Sequence, residues 1–152
     1  MGDEQGPSLE EHQQWAIHLF NHTWELLNLD ERSVDQIDEM IHCAHASRFH
    51  WGIVGAPVNF TRGEWQISRV YSVLGRSEPA LFHAHRCLDI CDAHKIGDFD
   101  RAFAYEALAR AYKIAGNDDE CDKYIELGRN CGDRIRDEET KEVFFADLDS
   151  IQ

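Results

Sequence analysis

The octapeptide Ser68-Arg69-Val70-Tyr71-Ser72-Val73-Leu74-Gly75, with Ala80 following, carries the reading of this chain. Tyr71, Gly75 and Ala80 recur as Tyr112, Gly116 and Cys121, each 41 positions later. Gly75 is a natural end for a helix, because a residue without a Cβ can take the left-handed cap conformation. One helical hairpin is therefore written twice between Thr61 and Cys131, and the rest of the chain is organised around that duplication.

Upstream, Ser8-Leu9-Glu10-Glu11 and Ser33-Val34-Asp35-Gln36 are capping boxes, in which serine and the acid or amide three residues on satisfy orphan backbone amides. The first opens a helix to about Asn28 with Ala16, Leu19, Phe20, Thr23 and Leu27 on one side. The second opens a helix with the stripe Val34, Ile37, Met40, Ile41 and Ala44, ending near Arg48 to Trp51. Gly52 to Asn59, with two glycines and Pro57, is expected to be an apolar connection, and Thr61-Arg62-Gly63-Glu64 to cap the third helix. Ser77-Glu78-Pro79 starts a fourth helix reaching about His94, and a fifth spans roughly Phe99 to Ala115. Asn117 caps a sixth that continues to about Cys131, and a short helix from Glu138 to Leu148, with Val143, Phe144 and Leu148 to bury, closes the stack.

The 152 residues fit one domain: 1–7 frayed, 8–51 a degenerate first hairpin, 61–94 and 102–135 the repeat hairpins, and 137–149 the terminal cap. Fifteen basic residues stand against 29 acidic ones, a formal charge of -14, and such a field repels phosphate backbones, so nucleic-acid binding is not expected. The charge is uneven, with 10 acidic and 2 basic residues in 1–60 but 6 and 5 in 61–100. Five cysteines without a C-x-x-C pair, and no secretory leader, read as reduced thiols and a cytoplasmic location. No apolar run approaches the roughly 20 residues of a membrane span.

The repeated Tyr71, Gly75 and Ala80, with Ala109, Tyr112, Gly116, Cys121 and Gly128 in the second copy, resemble the tetratricopeptide repeat family, whose period is roughly 34 residues against 41 here. The resemblance implies an all-α fold of antiparallel helical hairpins in a short right-handed superhelix, six main helices plus a C-terminal capping helix. It also implies that the first helix of each pair lines a concave surface for a protein or peptide partner.

On that surface Arg62, Trp65, Arg69 and Ser72 fall opposite the apolar stripe of the third helix, and Phe103, Glu106, Arg110 and Lys113 opposite that of the fifth. An aromatic beside two cations, twice over in an acidic chain, is expected to make a groove for an acidic or carboxylate-bearing partner, with Trp65 facing solvent between its arginines. Arg48, on the apolar side of the second helix, needs a partner or a ligand. The plainer alternative is that Trp65 and Phe103 pack against the first helix or the 52–59 connection and the cations pair with acids such as Glu64 and Glu106.

Two rival functions remain open. His18, His22, His42 and His45 lie at helical spacing on the first two helices, a pattern that suits a metal-binding protein or metal-dependent enzyme, although the two sets point apart. A self-associating scaffold would instead cover Trp65 and Phe103 with another copy. His83, Cys87, Cys91 and His94 also share a stripe, but Ala80, Ala84, Cys87, Leu88 and Cys91 read better as a small-residue packing face. There is no phosphate loop or nucleophile elbow, no cofactor is expected, and an enzyme is the less favoured reading.

Overall fold

The computed structural model describes residues 5–151, so Met1 to Glu4 of the expected frayed terminus lie outside the described residues. Seven helices follow in order: α1 (Leu9–Leu27), α2 (Val34–Val54), α3 (Pro57–Val73), α4 (Ser77–His94), α5 (Asp98–Ile114), α6 (Asp118–Gly132) and α7 (Glu138–Asp149). The described residues contain no strand. Each helix packs on the next, and α1, α3, α5 and α7 also touch in succession, while no even-numbered helix meets another among the described residues. The result is a stack of antiparallel hairpins with the odd-numbered helices along one side.

Both capping boxes form, Ser8 with Glu11 and Ser33 with Gln36. The duplicated hairpin closes identically in its two copies. Gly75 and Gly116 take φ of 72° and 77°. The amide after each glycine then reaches back to a tyrosine carbonyl, Arg76 to Tyr71 at 2.9 Å and Asn117 to Tyr112 at 3.0 Å. Both tyrosine hydroxyls meet a histidine on the preceding helix, Tyr71 with His45 at 2.8 Å and Tyr112 with His85 at 3.2 Å. Lys95 ends α4 in the same left-handed conformation without being a glycine.

The expected connection from Gly52 to Asn59 is not there. α2 runs to Val54, α3 begins at Pro57, and only Gly55 and Ala56 separate them. Pro57 occupies the first helical position, where its missing amide costs nothing, and Asn59 Oδ1 accepts the Ala56 amide at 2.9 Å. The expected cap at Thr61 is corrected with it. Thr61 is a fully buried helical residue whose Oγ1 donates to the Cys87 carbonyl at 2.8 Å.

Hydroxyls and an amide tie the layers in the same manner elsewhere. Ser47 donates to the Ala16 carbonyl, Gln66 to that of Phe20 and Ser68 to that of Ala80, at 2.7 to 2.9 Å. Helices approach closely where residues are small. Ala102, Ala104, Ala107, Ala109 and Ala111 bury most of α5 on several sides at once. Val143 departs from expectation, because Phe144 and Leu148 alone carry the inner face of α7 and leave it 57% exposed.

Gly132 marks the tightest approach at any described glycine. A Cβ there would lie 2.3 Å from Cε1 of Phe144, a ring with no exposure and no room to retreat. Alanine should favour an α-helix over glycine by about 1 kcal/mol. Overpacking of this kind costs about 1 to 3 kcal/mol, so Gly132→Ala should lower the unfolding free energy in urea, and an unchanged or higher value would show that α7 shifts freely.

Candidate functional site

The concave side holds a cleft of about 230 Å³. Every odd-numbered helix contributes to it: Phe20 and Trp24 from α1, Thr61, Arg62 and Trp65 from α3, Phe99, Asp100 and Phe103 from α5, and Val143 and Asp147 from α7, with Cys87 of α4 behind them. Its lining rings Trp24, Trp65, Phe103 and Phe99 form a continuous column that runs on to Phe144 in the core. Trp24 lies 5.4 Å from Trp65, Trp65 meets Phe103 edge-on at 5.5 Å, and Phe103 meets Phe99 at 5.0 Å and Phe144 at 5.2 Å. Edge-to-face pairs at such separations hold one another in place, so the wall is preformed.

The cations expected to reach for a ligand are paired inside the protein. Glu106 has no exposure and accepts three donors: Trp65 Nε1–H at 3.3 Å, Arg69 Nη1 at 3.2 Å and Arg110 Nε at 2.7 Å. Arg69 also lies 3.9 Å from Asp147, and Arg110 donates to the Asp147 carbonyl and the Ser150 hydroxyl, both at 3.0 Å. Lys113 turns away to Asp118 at 3.3 Å. Trp65 is thus half-buried between rings rather than facing solvent between arginines, because α1 and α5 both pack across the face that looked free on a single helix. Phe103 is half-buried in the same wall.

Arg62 is placed differently. Its Nε and Nη2 hold both oxygens of Asp100, at 2.8 and 3.2 Å, yet its side chain stays 51% exposed, with Nη1 unbonded among the described residues. The guanidinium also sits 5.6 Å from the Phe99 ring centroid. It is the cleft's outward-facing cation.

Arg48 found its partner on α3 rather than in the cleft. Its Nε donates to Glu64 at 3.2 Å and it lies over Phe60 at 4.7 Å. Gly63 makes room, since a Cβ there would come within 2.8 Å of Arg48 Cδ. Glu64 also binds His83 Nδ1 at 2.6 Å. Burial alone would raise its carboxyl, but His83 and Arg48 outweigh that and hold it below the ordinary range.

The alternative metal set does not assemble. His22 joins Glu25 on its own helix and Glu39 on α2, both at 3.0 Å, whereas His45 turns to Tyr71, and His18 and His42 are exposed. Among the described residues no three of His, Cys, Asp and Glu gather as a metal ion would need.

Sequence reasoning passed over Trp24, Phe99, Asp100 and Asp147, and it assigned Phe20 and Val143 to the core, Thr61 to a helix cap and Cys87 to packing. Phe99 and Asp100 sit in the first turn of α5, where no stripe is yet legible. Phe99 and Phe103, one turn apart on α5, and Arg62 on the adjacent odd-numbered helix α3 were the available signal.

The histidines give a test of the arrangement. Hydrogen bonds to Glu39 and Glu25 raise His22 above its ordinary 6.5. Burial, and then the charge of His83, lower His45 below 6.5. The His22 contribution to stability is complete below 6.5 and fades as pH rises through its raised value, while that of His45 is complete above 6.5 and fades as pH falls through its lowered value. Imidazole resonances followed by NMR should therefore titrate with His22 above and His45 below 6.5, and the reverse order would contradict the placement of both.

No family model, no curated protein and no solved structure matches this chain, so the reading of the cleft rests on its own geometry.

Proposed function

We propose that the chain is a protein- or peptide-recognition module whose cleft seats one bulky apolar side chain of a partner segment, with the outer edge of Arg62 meeting a carboxylate nearby in that segment. The observation that carries this is the pairing of a preformed aromatic cleft with a single half-exposed guanidinium at its edge. A volume of about 230 Å³ is below the roughly 300–1,000 Å³ of sites that enclose a drug-sized ligand, and it suits an anchor side chain better than a cofactor. Anchors of that kind supply most of the affinity of a recognition groove.

Charge narrows the partner further. Arg48, Arg69 and Arg110 are largely buried against acids of the protein and Lys113 turns away to Asp118, whereas Arg62, although bonded to Asp100, keeps an exposed guanidinium edge to meet one carboxylate. A chain of net charge -14 repels a long acidic stretch, so the partner pairs apolar bulk with an isolated acid. The resemblance of the Tyr71, Gly75 and Ala80 pattern to tetratricopeptide repeats supports the same face, since those proteins bind on their first-helix surface.

The test is a selection of displayed random peptides on the intact protein, followed by titration of the recovered peptides against variants. Val143→Arg places a long charged side chain at the exposed cleft edge without touching the core. It should weaken binding by at least about tenfold, the loss expected when an apolar anchor is excluded, while Arg62→Ala should cost about three- to tenfold. Lys113→Ala should change nothing. Peptides that bind Val143→Arg as tightly as the parent would remove the cleft from the account.

A further inference from the structure

A second cleft, of about 170 Å³, adjoins the first. Ile17, Phe20 and Asn21 of α1, Trp51 of α2 and Asn59 and Arg62 of α3 line it. Phe20 and Arg62 belong to both clefts, so the half-exposed guanidinium stands where the two meet. Ile17 is 45% exposed and Trp51 half-buried, which gives the second cleft an apolar wall of its own.

Two side-chain amides set this cleft apart from the aromatic one. Asn21 is exposed and makes no side-chain hydrogen bond among the described residues. Asn59 gives its Oδ1 to the Ala56 amide at 2.9 Å, which fixes the side chain and leaves its NH2 group without a partner among the described residues.

On the recognition role proposed for the first cleft, we infer that the partner crosses both clefts as an extended segment in which alternate residues face the protein. The bulky apolar anchor fills the aromatic cleft, the acid meets Arg62, and a second, smaller apolar side chain lies against Ile17 and Trp51. The backbone of the segment bonds to Asn21 and Asn59.

The amides favour an extended occupant over a helix. A helix closes its N–H and C=O bonds within itself, whereas an extended segment offers one of each at every residue. Asn59, with its oxygen committed, donates to a peptide carbonyl, and Asn21 can donate or accept. Backbone bonds of this kind supply affinity, and pockets for alternate side chains supply specificity. Charge fixes the middle position. Arg62 is the one charged side chain lining the second cleft, and it is shared with the first, so the acid falls between the two apolar positions. The second cleft is also held in shape, because Ser47 bonds the Ala16 carbonyl at 2.7 Å and Gln66 that of Phe20 at 2.9 Å, on either side of Ile17. Ordering on binding then falls on the partner segment alone.

The experiment scans the displayed peptides recovered on the intact protein with alanine, against the parent, Ile17→Ala and Asn21→Ala. Both positions are exposed, so the fold is kept. Three alternate peptide positions should matter, with the acid in the middle, and removal of the second apolar residue should weaken binding at least about fivefold. Asn21→Ala should weaken it about two- to tenfold, the worth of one hydrogen bond, and Ile17→Ala about threefold. In Ile17→Ala the second apolar residue of the peptide should matter less than in the parent, since the two touch. Peptides weakened by Val143→Arg but indifferent to Ile17→Ala and Asn21→Ala would overturn the second subsite and leave the aromatic cleft its role. Sensitive positions at the three- or four-residue spacing of a helix would overturn the extended form. Indifference to Val143→Arg would remove the aromatic cleft and the two-cleft reading together.

Discussion

A carboxylate with no exposure to water holds the concave side together. Glu106 lies on α5 and collects the Trp65 indole and the Arg69 guanidinium from α3 and the Arg110 guanidinium from its own helix, and both arginines continue to α7 at Asp147. Burying one such charge costs several kcal/mol by itself, and the network is tolerable only because every member is satisfied. Three odd-numbered helices are therefore fixed relative to one another by polar bonds that tolerate little error. The ring column from Trp24 to Phe144 leans on that frame, and the cleft is the space it encloses.

Much of the architecture is legible in the sequence. The serine capping boxes, Gly75, Gly116 and Asn117 are local devices, each satisfying backbone groups within a few residues, so the sequence states them outright. The break between α2 and α3 was misplaced because glycine and proline carry two meanings. Gly52 and Gly63 are helical residues that clear space for Arg48, and Pro57 starts a helix instead of interrupting one. The candidate site was legible in its residues but not in their state. Reading one helix at a time assigns it one buried side, whereas α3 and α5 in the middle of a stack are packed on several. Glu106 on the polar side of α5 is thus the most buried carboxylate among the described residues, and the cations opposite it are structural. Phe20, Phe99 and Val143 were missed because the cleft needs four helices side by side before it exists.

The same geometry explains how an acidic protein carries a nearly neutral concave side. Arg62 with Asp100, and Arg69 and Arg110 with Glu106 and Asp147, cancel locally, so the cleft offers apolar area with one guanidinium edge. Under the proposed recognition role, such a surface selects a partner by the shape and bulk of a side chain more than by its charge. Beneath the same wall, Thr61 ties α3 to α4 through the Cys87 carbonyl.

The central claim is that these arginines are internal counterions to Glu106 and not a free anion-binding surface. Equilibrium unfolding of Glu106→Ala in urea tests it most directly. Removing one member of a buried charged network strands the others, and the account predicts a loss of about 3 to 5 kcal/mol relative to the parent. A change within about 0.5 kcal/mol, the scale of a surface substitution, would mean that Arg69 and Arg110 stand free and would contradict it.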